Sequence, residues 1–212
     1  MRKNPVKQEI ADAQRFHEII TVLAESEASH LVKKLGLSSH MPARYRHKRE
    51  QPSPERLREV LEELGPTFVK FGQIMAQRPD LVPERYIDEL EKLEDDVRPF
   101  SSEKAREIVD EEIGLETFDD FEEDPVAAAS IAQVHEAWID GEKVAVKVRR
   151  PGIKEQMTTD LDLMRFMASK GEQHSEKLEK VKISKIVEEF AEWTMAELDL
   201  EKEASNAETF QR

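Results

Sequence analysis

The sequence predicts an α+β protein: a helical front, a small antiparallel β-hairpin unit, then closing helices. Three observations carry this. Apolar residues recur at three- and four-residue spacing over most of the chain. The period shortens to two only around 134–148. Within that stretch Asp140-Gly141 separates two β-rich runs, and this dipeptide is a strong signal for a two-residue hairpin turn.

The first helical stripe is Phe16, Ile19, Ile20, Leu23, Ala28, Leu31, Val32 and Leu35, with Gly36 as the stop. A short basic stretch, 41–49, follows. Ser53 is a candidate N-cap for a helix through Leu57, Val60, Leu61 and Leu64, which Gly65-Pro66 breaks. Helices are then expected over 67–78, over 84–95 and, capped by Ser101 or Ser102, over 103–113 up to Gly114. In the second hairpin strand Val144, Val146 and Val148 share one face, and Ala145 and Lys147 share the other. Arg149-Arg150-Pro151-Gly152 ends that strand. Helices are expected from Ile153 to about Lys170 and from Ser184 to near the end.

Composition narrows the function classes. Of the 212 residues, 38% are hydrophobic and 37% charged, and no apolar run reaches the roughly 18 to 20 residues of a membrane span. The N-terminus lacks the apolar stretch of a signal peptide, so a cytoplasmic location is expected. There is no cysteine, which excludes disulfides, thiol nucleophiles and thiolate metal sites. The net charge is −14; residues 1–50 carry +4, leaving −18 on the remainder. A body this acidic repels phosphate backbones, so no nucleic-acid partner is expected. The basic 41–49 stretch reads either as a solvated linker or as a contact for acidic lipid head groups, which leaves peripheral membrane association open.

Four constellations could carry chemistry. Lys147 puts a cation inside a valine-rich strand: facing a cleft it needs an anion, and on an edge strand it simply meets water. Ala127-Ala128-Ala129-Ser130 reads as a helix start or as a stiff loop, because alanine excludes most positive-φ turns. Lys70, Gly72 and Gln73 lie within a helix, with Lys70 and Gln73 on one face. The glycine there costs about 1 kcal/mol against alanine, which suggests close approach by a ligand or by a packed neighbour. Asp199, Glu203 and Asn206 fall on one helical face near Glu197, either as a solvated acidic surface or as partners for cations.

Taken together, GPTFVKFGQIMAQRPDLVPERYIDELEKLEDDV (65–97), PVAAASIAQVHEAWIDGEKVAVKVRRPGI (125–153) and ELDLEKEASNAETF (197–210) closely resemble the UbiB family of atypical protein-kinase-like proteins. The likeness covers about residues 51–212. It implies a helical N-terminal extension followed by a partial kinase-like N-lobe. The implied division is 1–50, a helical arm; 51–118, the helical extension; and 119–212, an incomplete N-lobe. Lys70, Gly72 and Gln73 match the family's KxGQ motif, which implies a regulatory role. Ala127, Ala128, Ala129 and Ser130 match the alanine-rich loop that replaces a kinase's glycine-rich one. Lys147 matches the ATP lysine, with Glu203 as its helix-glutamate partner. Glu197 and Asp199 match an ExD motif expected near Lys70; on one continuous helix they point apart, so both can meet it only if the helix is distorted or the contacts are indirect.

The resemblance also implies ATP or ADP with Mg²⁺ as cofactor, and ATPase-like or small-molecule kinase-like chemistry. It further implies a part in isoprenoid quinone biosynthesis or lipid homeostasis. Residues 1–212 contain no H-R-D-like or D-F-G run, so no catalytic or metal-binding residue is assigned within them and the chain alone is expected to be inactive. Truncation of a longer protein is one expectation. The other is a non-catalytic interaction module that binds a partner C-lobe or quinone-biosynthesis proteins.

Overall fold

The computed structural model describes residues 5–26, 29–42, 45, 52–93 and 98–201. In chain order the helices are α1 (Pro5–Glu25), α2 (Ser29–Lys34), α3 (Pro54–Leu64), α4 (Pro66–Ala76), α5 (Glu84–Leu90) and α6 (Ser102–Glu112). Four strands follow: β1 (Asp120–Phe121), β2 (Ala127–Ala128), β3 (Ala132–Ile139) and β4 (Glu142–Arg149). The helices α7 (Ile153–His174), α8 (Glu176–Lys180) and α9 (Ile183–Glu197) close the described chain. Among the described residues no helix is long and apolar enough to cross a membrane.

The residues form two compact units, 1–93 with 155–212, and 94–154. These cut across the boundaries expected at 50 and 118. The reason lies in what packs with what: Ala105 and Val109 of α6 share a core with Phe121, Ala137, Val146 and Val148, so α6 belongs with the strands.

The first unit is a helical bundle. Ile19, Ile20, Leu23 and Ala24 of α1 pack with Val60 and Leu64 of α3, Phe68 of α4, Leu161, Met164, Met167 and Ala168 of α7, and Val187, Phe190 and Ala191 of α9. A neighbouring cluster joins Val69, Met75 and Ala76 to Leu90, Leu93 and Ile186. The Ser53 hydroxyl accepts from Arg56 N and caps α3, as its sequence position suggested. Gly65 (φ 96°) ends α3 and begins α4, with Pro66 at the first helical position. The single stripe expected over 16–35 is instead split after Glu25. Buried Ser26 turns its hydroxyl onto Leu23 O (3.2 Å), a local bond that competes with helix continuation. The short α8, a five-residue helix with Lys180 against Glu176, was not anticipated.

The second unit is α6 against a small antiparallel sheet in which β1, β2 and β4 all pair with β3. Ser101 accepts from Lys104 N and caps α6. The β3–β4 turn is Asp140 (φ 53°) and Gly141 (φ 76°), the positive-φ pair of a type I′ hairpin. Asp119 accepts from Gly141 N at 2.9 Å and anchors the turn. Val146 and Val148 are buried while Ala145 and Lys147 are exposed, the alternation expected from the valine spacing.

Candidate functional site

In the second unit, register decides which side chains meet. Val134 of β3 is flanked by Ala127 of β2 on one side and by Lys147 of β4 on the other. Directly paired residues of antiparallel strands project to the same face. One row across the sheet therefore runs Ala127, Val134, Lys147, although Ala127 and Lys147 are 20 positions apart in sequence. Adjacent strands lie about 4.8 Å apart, so the row spans roughly 10 Å. Glu136 pairs with Ala145 in the next row on this face. Ala127, Ala145 and Lys147 are exposed on this face, beside Val134 and a Glu136 whose carboxylate pairs with Lys143 (2.6 Å).

The opposite face is sealed. Gln133 and His135 are fully buried there. Gln133 accepts from Phe100 N (3.0 Å), and its amide lies 2.8 Å from His135 Nε2. His135 Nδ1 is 2.9 Å from the Glu122 carbonyl, and its ring stacks on Phe121 at 5.0 Å. This polar pair ties the segments before β2 to β3 from behind.

The alanine-rich stretch is neither helix nor glycine-like loop. Ala127 and Ala128 form β2, after which Ala129 N donates to Ala132 O at 2.8 Å, turning the chain into β3. Ser130 is buried. Arg150 braces this turn: its backbone N–H donates to Ile131 O (2.8 Å), and its guanidinium donates to Arg98 O (3.0 Å) and Ala129 O (3.4 Å). The guanidinium also lies over Phe100. Burial pulls its pKa below the usual arginine range. Arg150 was not singled out from sequence, where it read only as a strand end.

In the first unit, α4 is buried on nearly all sides and carries a slanting polar stripe of Thr67, Lys70 and Gln73. Each group meets a different segment. Thr67 Oγ1 donates to Asp160 of α7 (2.8 Å), Lys70 Nζ pairs with Glu197 of α9 (2.9 Å to Oε1, 2.8 Å to Oε2), and Gln73 donates to Leu93 O (3.1 Å). Lys70 is only 5% exposed and lies 4.9 Å from the Trp193 ring centre, so carboxylate and aromatic face together replace its water. Gly72 lets α4 pack closely against its neighbours. A Cβ there would meet Leu93 at 2.4 Å and Leu61 at 2.8 Å, so it is a packing glycine.

Asp160 is the second ionic node. Its buried carboxylate accepts from Arg15 Nε (2.7 Å) and Nη2 (3.1 Å) as well as from Thr67, and Arg15 also donates to Leu64 O. Burial opposes the Arg15 charge, but hydrogen bonding and attraction to Asp160 outweigh it and hold the guanidinium above its ordinary range. Sequence reading missed both residues. The available signal was an aspartate in phase with Met157, Leu161 and Met164 on the apolar stripe of α7.

α9 ends at Glu197, and Leu198 and Asp199 leave the helical pattern. Glu197 reaches Lys70, while Asp199 is exposed. Glu203 lies outside the described residues, as does most of the basic 41–49 stretch; of that stretch Met41 is buried in the bundle. Among the described residues no group of three or more histidine or acidic side chains is placed to hold a metal ion.

Comparison with known proteins gives three findings. The model of the ABC1 atypical kinase-like domain matches residues 92–212, more than half of the chain. A protein described as "Probable protein kinase UbiB" from Marinobacter nauticus is 44% identical over 162 residues, covering 74% of this chain and 30% of that protein. One of the same description from Aliivibrio fischeri is 38% identical over 215 residues, covering 95% of this chain and 39% of that protein. The chain thus spans about a third of the length of the curated relatives it matches. A solved structure, described as the complex of Rv3197 with erythromycin from Mycobacterium tuberculosis, aligns at 34% identity over 71% of this chain and 39% of that one. Its TM-score is 0.45.

Proposed function

The chain belongs to the ABC1 atypical kinase-like family, and from that premise we propose that residues 94–154 are the nucleotide-facing part of an atypical kinase, with Lys147 as its phosphate-binding cation. The observation that supports this most is the row Ala127, Val134, Lys147 on the open sheet face. A flat apolar ring and an anionic phosphate chain need such a combination: small side chains that let the ring approach, and a cation one strand away. ATP with Mg²⁺, when bound, supplies the transferable phosphoryl group. The chain's own residues position it. Ala127 and Ala145 leave room on the platform, Lys147 meets phosphate oxygens, and Arg150 fixes the turn at Ala129. We assign nucleotide binding, not phosphoryl transfer, to these residues.

We further propose that α4 has a regulatory role, since Lys70 is held on Glu197 and Trp193 rather than free to meet substrate. For the whole protein the reading extends, by its likeness to the UbiB family, to ATP-dependent chemistry in isoprenoid quinone biosynthesis or lipid homeostasis. Its binding partners would then be proteins of that pathway.

The test is titration of the purified chain with a fluorescent ATP analogue, against Lys147→Ala. A hydrogen bond to a charged group contributes about 1.5–3 kcal/mol, so the variant should bind roughly 10- to 100-fold more weakly with its fold unchanged by circular dichroism. Equal binding by both proteins would remove Lys147 from the site.

A further inference from the structure

The helical unit contains a cavity of about 410 Å³, in the range of roughly 300–1,000 Å³ usual for small-molecule pockets. It is a partly open pocket among α1, α2, α3, α4, α5, α7, α8 and α9. Of its 23 lining residues, 21 are uncharged and apolar, glycine and alanine included; the other two are Lys34 and Lys177. No aspartate, glutamate, serine or asparagine lines it, although the chain carries 46 acidic residues.

The two lysines belong to one end. A Cβ on Gly171 of α7 would meet Leu35 and Leu178 at 2.9 Å each, so these leucines converge on the same spot, and Lys34 and Lys177 directly precede them. Leu81, Val82 and Leu90 line the cavity from the segment around α5. Among the described residues, the side-chain ammonium of neither Lys34 nor Lys177 has a hydrogen-bond or ion-pair partner. In a chain of net charge −14 where most other cations of this unit are paired, two unpaired lysines at one end of an apolar chamber form a built asymmetry.

From this we propose that the helical unit binds a single-chain anionic amphiphile, a long-chain carboxylate. Its tail fills the chamber between α3, α4 and α7, and its head group lies between Lys34 and Lys177. The apolar walls supply affinity through surface removed from water. The lysines supply orientation and the preference for a negative head. A polypeptide segment is the less favoured occupant, because the lining offers almost no polar groups to satisfy a peptide backbone.

The probe is cis-parinaric acid, a fluorescent long-chain carboxylate, titrated into the full chain, with oleate and oleyl alcohol as competitors. Oleate should displace it, and oleyl alcohol should compete at least tenfold less well. Lys34→Gln/Lys177→Gln should weaken parinarate and oleate about tenfold and leave oleyl alcohol unchanged. Both lysines are at least partly exposed, so this variant should retain its melting temperature. As a second variant, Ala168→Leu fills the chamber wall and should reduce binding of all three molecules. Absence of parinarate binding, or equal affinity for acid and alcohol in both wild type and the lysine variant, would overturn the proposal. So would binding that Ala168→Leu leaves unchanged in a folded protein. None of these readouts involves nucleotide, so failure here is distinct from failure at Lys147.

Discussion

Replacing either partner of the Lys70–Glu197 pair should destabilise the helical unit unequally. Lys70 is 5% exposed, whereas the Glu197 side chain is 32% exposed. Among the described residues, Glu197→Ala leaves the buried ammonium with the Trp193 ring as its remaining partner. Breaking a fully buried pair costs about 3–5 kcal/mol and an exposed one about 0–1, so this mixed case should cost about 2–4 kcal/mol. Lys70→Met keeps the side-chain volume and leaves a carboxylate that can rehydrate, for about 1–2 kcal/mol. The double variant should lose less than the sum, with a coupling of about 1–3 kcal/mol. The assay is urea unfolding followed by tryptophan fluorescence. Trp138 lies in the second unit and Trp193 in the first, so a Trp138→Phe background isolates the signal of interest. A coupling below about 0.5 kcal/mol, or a Lys70→Met loss exceeding that of Glu197→Ala, would refute the reasoning.

Three further outcomes are expected. Gly72→Ala gains about 1 kcal/mol of helix propensity but drives a methyl into Leu93 and Leu61. Overpacking costs about 1–3 kcal/mol, so the melting temperature should fall or hold, and a clear rise would contradict the packing role. Asp160→Asn should be among the costliest single changes in the helical unit, about 3–5 kcal/mol by chemical denaturation, because Arg15 loses its counter-charge and an NH2 donor replaces one of the two oxygens that accept from Arg15 and Thr67. A loss under 1 kcal/mol would show that the node is dispensable. Glu188 is held below its ordinary value of 4.5 by hydrogen bonding to Arg165, and Glu89 by Lys92 and then Arg58. A depressed folded-state pKa stabilises above the unfolded value and is lost as pH falls through the folded one. Glu188→Gln should therefore lower the urea midpoint at pH 7 and by progressively less as pH falls through the folded-state pKa, and a loss that does not change with pH would exclude the ion pair as the cause.

Local rules made much of the fold legible. Ser53 and Ser101 as caps, Gly65-Pro66 as a break and Asp140-Gly141 as a hairpin turn all depend on a few adjacent residues, and each element formed near its expected place. The break at Ser26 was hidden because the apolar stripe continues on both sides of it, while the Ser26 hydroxyl bond to Leu23 O depends on a side chain the stripe does not register. Grouping was also hidden. Nothing local to α6 says that Ala105 and Val109 pack on the strands, since that is settled by partners met through tertiary contact. At the site, Lys70, Gln73 and Lys147 were visible as polar residues in apolar contexts. Arg15, Asp160 and Arg150 were not, because arginines and aspartates are common in so charged a chain. Their significance rests on partners as far as 145 positions away.

The most direct measurement is hydrogen–deuterium exchange of the chain with and without an ATP analogue and Mg²⁺, read peptide by peptide. Protection is expected over Ala127–Val134 and Val144–Val148, the segments that form the open row, and it should vanish in Lys147→Ala. Nucleotide-dependent protection that bypasses both segments, or that survives the Lys147 substitution, would contradict the assignment of the sheet face as the nucleotide platform.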